Sequence, residues 1–179
     1  IEAIKKKVMR GLSEPAGIIT FPGVNGYTKE LDARLPYDVD AAKKLLADAG
    51  YPNGFDVELR CPNDRYVNDE AICTAVVGML GKIGVNVSLF AQTKSKHFKE
   101  LKDNQGDFYM LGWGVPTLDS HYVFHYLYES GASWNKVNFS NSEVDAAIRV
   151  MEGEVDLDKR NQAIAKAWKI VKDDISYLP

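Results

Sequence analysis

Apolar positions along the chain repeat with two different periods, and the alternation between them outlines the fold. Ala42, Leu45, Leu46 and Ala49 fall at i, i+3, i+4 and i+7, which predicts a helix opened by Asp38 and closed by Gly50. Tyr51-Pro52-Asn53-Gly54 then reads as a turn. Phe55, Val57 and Leu59 alternate with Asp56, Glu58 and Arg60, the pattern of a strand with one wet face. After the loop Cys61–Val67, Asn68 is expected to cap a helix with Asp69 and Glu70 in its first turn. Its stripe is Ile72, Ala75, Val76, Met79, Leu80 and Ile83, and Gly84 ends it. Val85, Val87 and Leu89 predict a second strand, and a short helix around Lys94–Lys102 carries Phe98 and Leu101 inward. The stretch Gly106–Asp119, GDFYMLGWGVPTLD, opens on the unbroken run Phe108-Tyr109-Met110-Leu111 and stops at Gly112-Trp113-Gly114. Such a run predicts a strand buried on both faces and central in its sheet. Strand, helix, strand, helix, strand makes an α/β class with a mainly parallel βαβαβ core and right-handed crossovers.

The flanks are less regular. Ile1, Ile4, Val8 and Leu12 form one stripe of a helix at the start, and Ser13–Pro36, punctuated by prolines and glycines, keeps no period. A connection that long is expected to be functional or to pack along a neighbour. An aromatic helix follows Asp119, then a loop, Glu129–Asn141. Ser142 with Asp145 resembles a capping box for a helix bearing Val144, Ala147, Ile148 and Met151. A last helix, about Leu157–Lys172, is expected to bury Leu157, Ile164, Ala167, Trp168 and Val171. The chain starts inside a helical pattern and ends at Ile175–Pro179, which reads as the beginning of a strand. It is therefore expected to be a piece of a larger protein, one whose compartment the missing signal segment does not report.

Composition narrows the function classes. At 179 residues, 45% hydrophobic and 26% charged, the chain can bury one core of ordinary size. Its 22 basic residues are scattered among 25 acidic ones, without the basic stripe that phosphate neutralisation needs, so nucleic acid is not an expected partner. No apolar run approaches the ~20 residues of a membrane span. Cys61 and Cys73 lie at the end of one predicted strand and the start of the next helix, and can be either free thiols or a disulfide. Neither has a second ligand at the spacing of a zinc motif.

Enzyme signatures are absent: there is no GxSxG elbow, P-loop or dinucleotide fingerprint after a strand. His121 and His125 stand four apart on the aromatic helix, yet Tyr122-Val123-Phe124 between them offers no base, and no third ligand is evident. They read as packing or surface residues, with no metal, cofactor or catalytic residue expected. Three residues suit binding instead. Arg65 precedes a helix start, where a guanidinium beside free backbone N–H groups can grip a carboxylate, or can simply be a solvated loop arginine. Trp113, between glycines at a strand's carboxyl end, can be core or an exposed stacking surface in the region where open α/β sheets bind ligands. Asp119 can cap the next helix or meet a cationic group.

The segments YDVDAAKKLLADAGYPNGFDVEL, CPNDRYVNDEAI, AVVGMLGKIGVNV and DFYMLGWG resemble the bacterial extracellular solute-binding proteins of the dipeptide, oligopeptide and nickel type, and the similarity runs from Ile1 to Pro179. The resemblance implies a three-layer-like lobe of the type II periplasmic binding protein kind, with residues 1–179 forming one ligand-facing lobe of a two-lobed protein and Ser13–Pro36 strapped along it. It implies a binding component of an ABC importer, periplasmic or anchored outside the cell as a lipoprotein. Its partners would be a small ligand such as a short peptide, the membrane permease subunits and the other lobe. In dipeptide binders an arginine in the loop matching CPNDRY pairs with the peptide carboxylate, and Arg65 occupies that place. An aspartate three residues after the strand-end Trp receives the peptide amino group in such proteins, whereas here Pro116 stands there and Asp119 lies three residues further on. Two other readings stay open: a small α/β hydrolase using Asp119 and His121, and a sensor lobe that signals to a membrane kinase or chemoreceptor.

Overall fold

The computed structural model describes residues 1–179, which fold as two compact units. The first comprises residues 1–15 and 36–112, the second residues 16–35 and 113–179.

The first unit holds α1 (Val39–Asp48), β1 (Phe55–Pro62), α2 (Asp69–Leu80), β2 (Val85–Gln92), α3 (Lys94–Lys102) and β3 (Phe108–Tyr109). The expected βαβαβ order is realised with all pairings parallel, Phe55 opposite Val85 and Leu59 opposite Phe108. The sheet order is β2-β1-β3, so β1 is central and β3 is a two-residue edge strand rather than the central one. The apolar run at 108–111 reflects packing: Phe108 and Met110 lean on the core formed by Leu59, Cys61, Cys73, Val85 and Val87. Cys61 on β1 and Cys73 on α2 are bridged as a disulfide, which ties that helix to the sheet. The other face of β1 is not simply wet. Arg60 is largely covered, paired with Glu58 at 2.7 Å and with Glu100 of α3 at 3.4 Å, and its guanidinium lies 4.1 Å from the centre of the Phe90 ring. On α3, Leu101 is buried as expected, and His97 beside it is fully buried with Nε2 2.9 Å from the Met110 carbonyl. Burial, partly offset by that carbonyl, holds the His97 pKa below its ordinary value.

Helix starts follow the sequence in one case and depart from it in others. Asp38 caps α1 by accepting from Ala41 N at 2.9 Å. Asn68 does not cap α2: it is left-handed, φ 57°, and its side chain donates to the Val8 carbonyl. Asp69 accepts from Glu70 N at that end instead. The opening stripe also fails as a buried face, because Ile4–Val8 is a five-residue π-helix, while Ile1 and Leu12 are exposed.

The second unit is helical: α4 (His121–Val123) running on as a π-turn (Phe124–Tyr128), α5 (Ser142–Gly153) and α6 (Leu157–Asp174). Its core is Phe124, Leu127, Val144, Ile148, Ile164 and Trp168, all 1% exposed or less. Burying one such side chain contributes roughly 1.5–3 kcal/mol. Asn141, not Ser142, caps α5 by accepting from Glu143 N and Val144 N, while Asp145 turns to Ser130 instead of closing a capping box. Leu157, expected inside, is 68% exposed at the first position of α6. The last residues form no strand; Ile175 is left-handed at φ 58° and ends α6.

Much of the long early connection belongs to this unit. Ile18, Val24 and Leu31 enter its core, and Lys172 donates to the Leu31 and Ala33 carbonyls. Asn25 bridges to Asp119, with Asn25 N on Leu118 O and Ser120 N on Asn25 O. The turn demands glycine at 26: φ is 89°, and a Cβ there would lie 2.4 Å from Ile164 Cγ2.

Candidate functional site

The loop between β1 and α2 is built around a buried carboxylate. Asp69, 4% exposed, accepts from Arg65 N at 3.0 Å, Tyr66 N at 2.9 Å and Glu70 N at 2.9 Å. Burial pushes its pKa up, but the backbone donors of Tyr66, Arg65 and Glu70 outweigh that and hold it below the usual carboxylate range. Of the N–H groups at this helix start, Glu70 N is taken by the chain's own acid, and the same carboxylate occupies Arg65 N and Tyr66 N in the loop before it. Arg65 itself projects into solvent with its guanidinium 5.0 Å from the centre of the Tyr66 ring and no acidic partner in the chain. Tyr66 in turn lies against the backbone at Gly112, where a Cβ would come within 2.6 Å of Cε1. Of the two glycines around Trp113, only Gly112 is required by close approach; Gly114 has open space.

Trp113 is half-buried at the head of an aromatic cluster. Its ring centroid lies 6.0 Å from Tyr122, 6.0 Å from Tyr126 and 5.9 Å from Trp134. Its indole N–H is shielded and has no acceptor in the chain. Pro116 is exposed in the turn that follows, closed by Leu118 N on Val115 O at 3.0 Å.

Asp119 faces inward to a partner of its own chain. Both its oxygens receive Arg160, at 2.8 Å each, while Asn25 Nδ2 donates at 3.0 Å and His121 N at 2.9 Å. Burial raises its pKa, and Arg160, His121 N and Asn25 together overcome that and lower it. A hydrolytic pairing of Asp119 with the His121 ring is not formed, since Asp119 takes the His121 backbone and the imidazole Nε2 sits 3.4 Å from Glu152. Arg160 could not be matched to Asp119 from the sequence, because nothing local links two positions 41 residues apart.

A family model described as "Bacterial extracellular solute-binding proteins, family 5 Middle" matches residues 1–135. The chain is 27% identical over 186 residues to heme-binding protein A of Haemophilus influenzae, covering 99% of this chain and 33% of that protein. It is 26% identical to the dipeptide-binding protein of Escherichia coli, covering 99% and 34% respectively. It thus spans about a third of the length of the curated relatives it matches. Among solved structures it superposes on the periplasmic binding protein DppA from Helicobacter pylori in complex with peptide STSA, with TM-score 0.89, 21% identity and 100% of this chain covered against 35% of that one. HbpA2 from Haemophilus parasuis aligns with the same TM-score of 0.89 at 22% identity over 99% of this chain and 36% of that one. The fold is that of type II periplasmic binding proteins, an α/β lobe on a parallel sheet. No helix is long and apolar enough to cross a membrane. The chain belongs to the bacterial extracellular solute-binding proteins, family 5.

Proposed function

We propose that the chain is one ligand-facing lobe of a solute receptor that captures a small molecule outside the cytoplasm and delivers it to the permease of an ABC importer. The family match over residues 1–135 carries this reading. The chain's one-third share of its relatives' length supports the view that a second lobe completes the receptor. The ligand would be a short peptide or a related small molecule, as the dipeptide-binding relative's name suggests, and the exposed Arg65 without an acidic partner favours one bearing an anionic group. Arg65 would hold the anion with charge-assisted hydrogen bonds, its loop stiffened by Asp69. Trp113 would offer a stacking face, its ring backed by Tyr122, Tyr126 and Trp134. Asp119, spent on Arg160, would support the fold rather than meet the ligand amine. The protein would perform no chemistry, because closure of two lobes on the ligand is the whole event that the permease reads.

The test uses the full-length protein purified without added solute. Native mass spectrometry should reveal a co-purifying small molecule, and Arg65→Ala should weaken its binding by roughly 1.5–3 kcal/mol, the range for hydrogen bonds to charged groups. Unchanged affinity in Arg65→Ala would return Arg65 to a solvated loop. Turnover of any bound solute would overturn the receptor reading itself.

A further inference from the structure

His121 on α4 and His125 on the π-turn that continues it acquire in three dimensions the third ligand that the sequence does not display. Glu152, on the last turn of α5, brings Oε1 to 3.4 Å from His121 Nε2 and 3.9 Å from His125 Nδ1. The donor atoms of His121, His125 and Glu152 all lie within 4.8 Å of one another. Glu129, one turn beyond His125, adds a carboxylate oxygen 2.8 Å from Nδ1. That Nδ1 is shielded from solvent, yet the Glu129 contact is not aligned as a hydrogen bond, so a buried ring nitrogen aims into the cluster without a satisfied partner. The imidazoles stack at 5.6 Å with an interplanar angle of 21°, which is how i, i+4 side chains on one helix face come to present nitrogens to a common point.

We propose that His121, His125, Glu152 and Glu129 bind a late first-row divalent cation of the zinc type. Donors about 2.0–2.2 Å from a tetrahedral zinc stand roughly 3.4 Å apart. The two Glu152 distances, 3.4 and 3.9 Å, lie at or a little above that spacing. The His121, His125 and Glu152 donors, within 4.8 Å of one another, close up by at most about 1.4 Å, and Glu129, 2.8 Å from Nδ1, moves outward to join them. Two neutral imidazoles and two carboxylates form the mixed nitrogen and oxygen set that borderline cations prefer over calcium or magnesium. The cation would neutralise the two acids, Glu129 and Glu152, that both approach His125. It would also pin the helix whose Tyr122 and Tyr126 back the Trp113 ring. Bound there, the metal is a clamp on the stacking platform, independent of whether the ligand itself is a peptide.

The test is zinc titration of the full-length protein, followed by calorimetry and native mass spectrometry after chelator treatment. One equivalent of Zn²⁺ is expected to bind, and Co²⁺ substitution should produce the visible absorption of a four-coordinate site. His121→Ala/His125→Ala should lose that equivalent. Glu152→Gln, which keeps the size and helix setting of an exposed side chain, should weaken zinc binding at least about tenfold. Circular dichroism and melting in chelator should match wild type for Glu152→Gln, so a folding defect cannot imitate metal loss. Absence of a stoichiometric zinc, or an equivalent retained in both variants, would overturn the site while leaving the receptor reading untouched.

Discussion

Replacing Asp119 by alanine separates a structural acid from a ligand-binding one. The substitution removes two hydrogen bonds from Arg160, one from Asn25 and one from His121 N, and it strands a guanidinium whose side chain is only 17% exposed. A single hydrogen bond to a charged group is worth about 1.5–3 kcal/mol, and breaking a fully buried pair costs about 3–5 kcal/mol. Arg160 also holds the Met151 carbonyl through Nε and keeps partial solvent access, so the lower part of that span applies, about 2–3 kcal/mol. In a domain of this size that corresponds to a drop of roughly 5–10 °C in melting temperature. Because the folded pKa of Asp119 is depressed, its contribution is complete above the unfolded carboxyl value of about 3.9 and is lost as pH falls through the lower folded value. The gap between wild type and Asp119→Ala should therefore be constant from pH 7 to about 5 and close in strong acid. Urea or thermal unfolding followed by circular dichroism measures it, alongside ligand affinity of the full-length protein. An unshifted melt together with lost affinity would refute the structural assignment and return Asp119 to the ligand.

Two further outcomes follow from the first unit. The Cys61–Cys73 bridge closes a separation of 12 residues, for which loop entropy predicts about 3 kcal/mol of stabilisation. A denaturing thiol titration of the oxidised protein should find neither cysteine free, and Cys61→Ser/Cys73→Ser should unfold at lower urea; two titrating thiols would contradict the bridge. Asp69→Ala deprives Arg65 N, Tyr66 N and Glu70 N of their acceptor, a loss of about 1–3 kcal/mol. Faster amide hydrogen exchange confined to residues 65–70 should accompany it, and unchanged exchange would mean that the loop is held by other contacts.

The βαβαβ order was legible because strand and helix periods are local properties: Val57 and Leu59 alternate, while Ile72, Val76 and Met79 recur by helical turns, whatever surrounds them. The family resemblance was legible for the same reason, since it resides in contiguous segments such as AKKLLADAGYPNGF. Strand order was not, because an apolar run records total burial, and Phe108 and Met110 obtain theirs from packing while β1 takes the centre. Caps divided along the same line. Asp38 reaches its own helix, whereas Asn68 found the distant Val8 carbonyl, and Asp69 takes Glu70 N together with loop N–H groups before the helix.

Among the site residues, the sequence by itself determined the chemistry on offer: a cation in the loop after β1, an indole at a strand end, an acid before an aromatic helix, and two histidines a turn apart. Tertiary structure decided how each is spent. Arg65 is left without an acidic partner, Asp119 is consumed by Arg160, and Glu152 completes what His121 and His125 begin. The physical reason is that a charge is satisfied by whichever group the fold carries within about 3 Å of it, and that group is often tens of residues away along the chain.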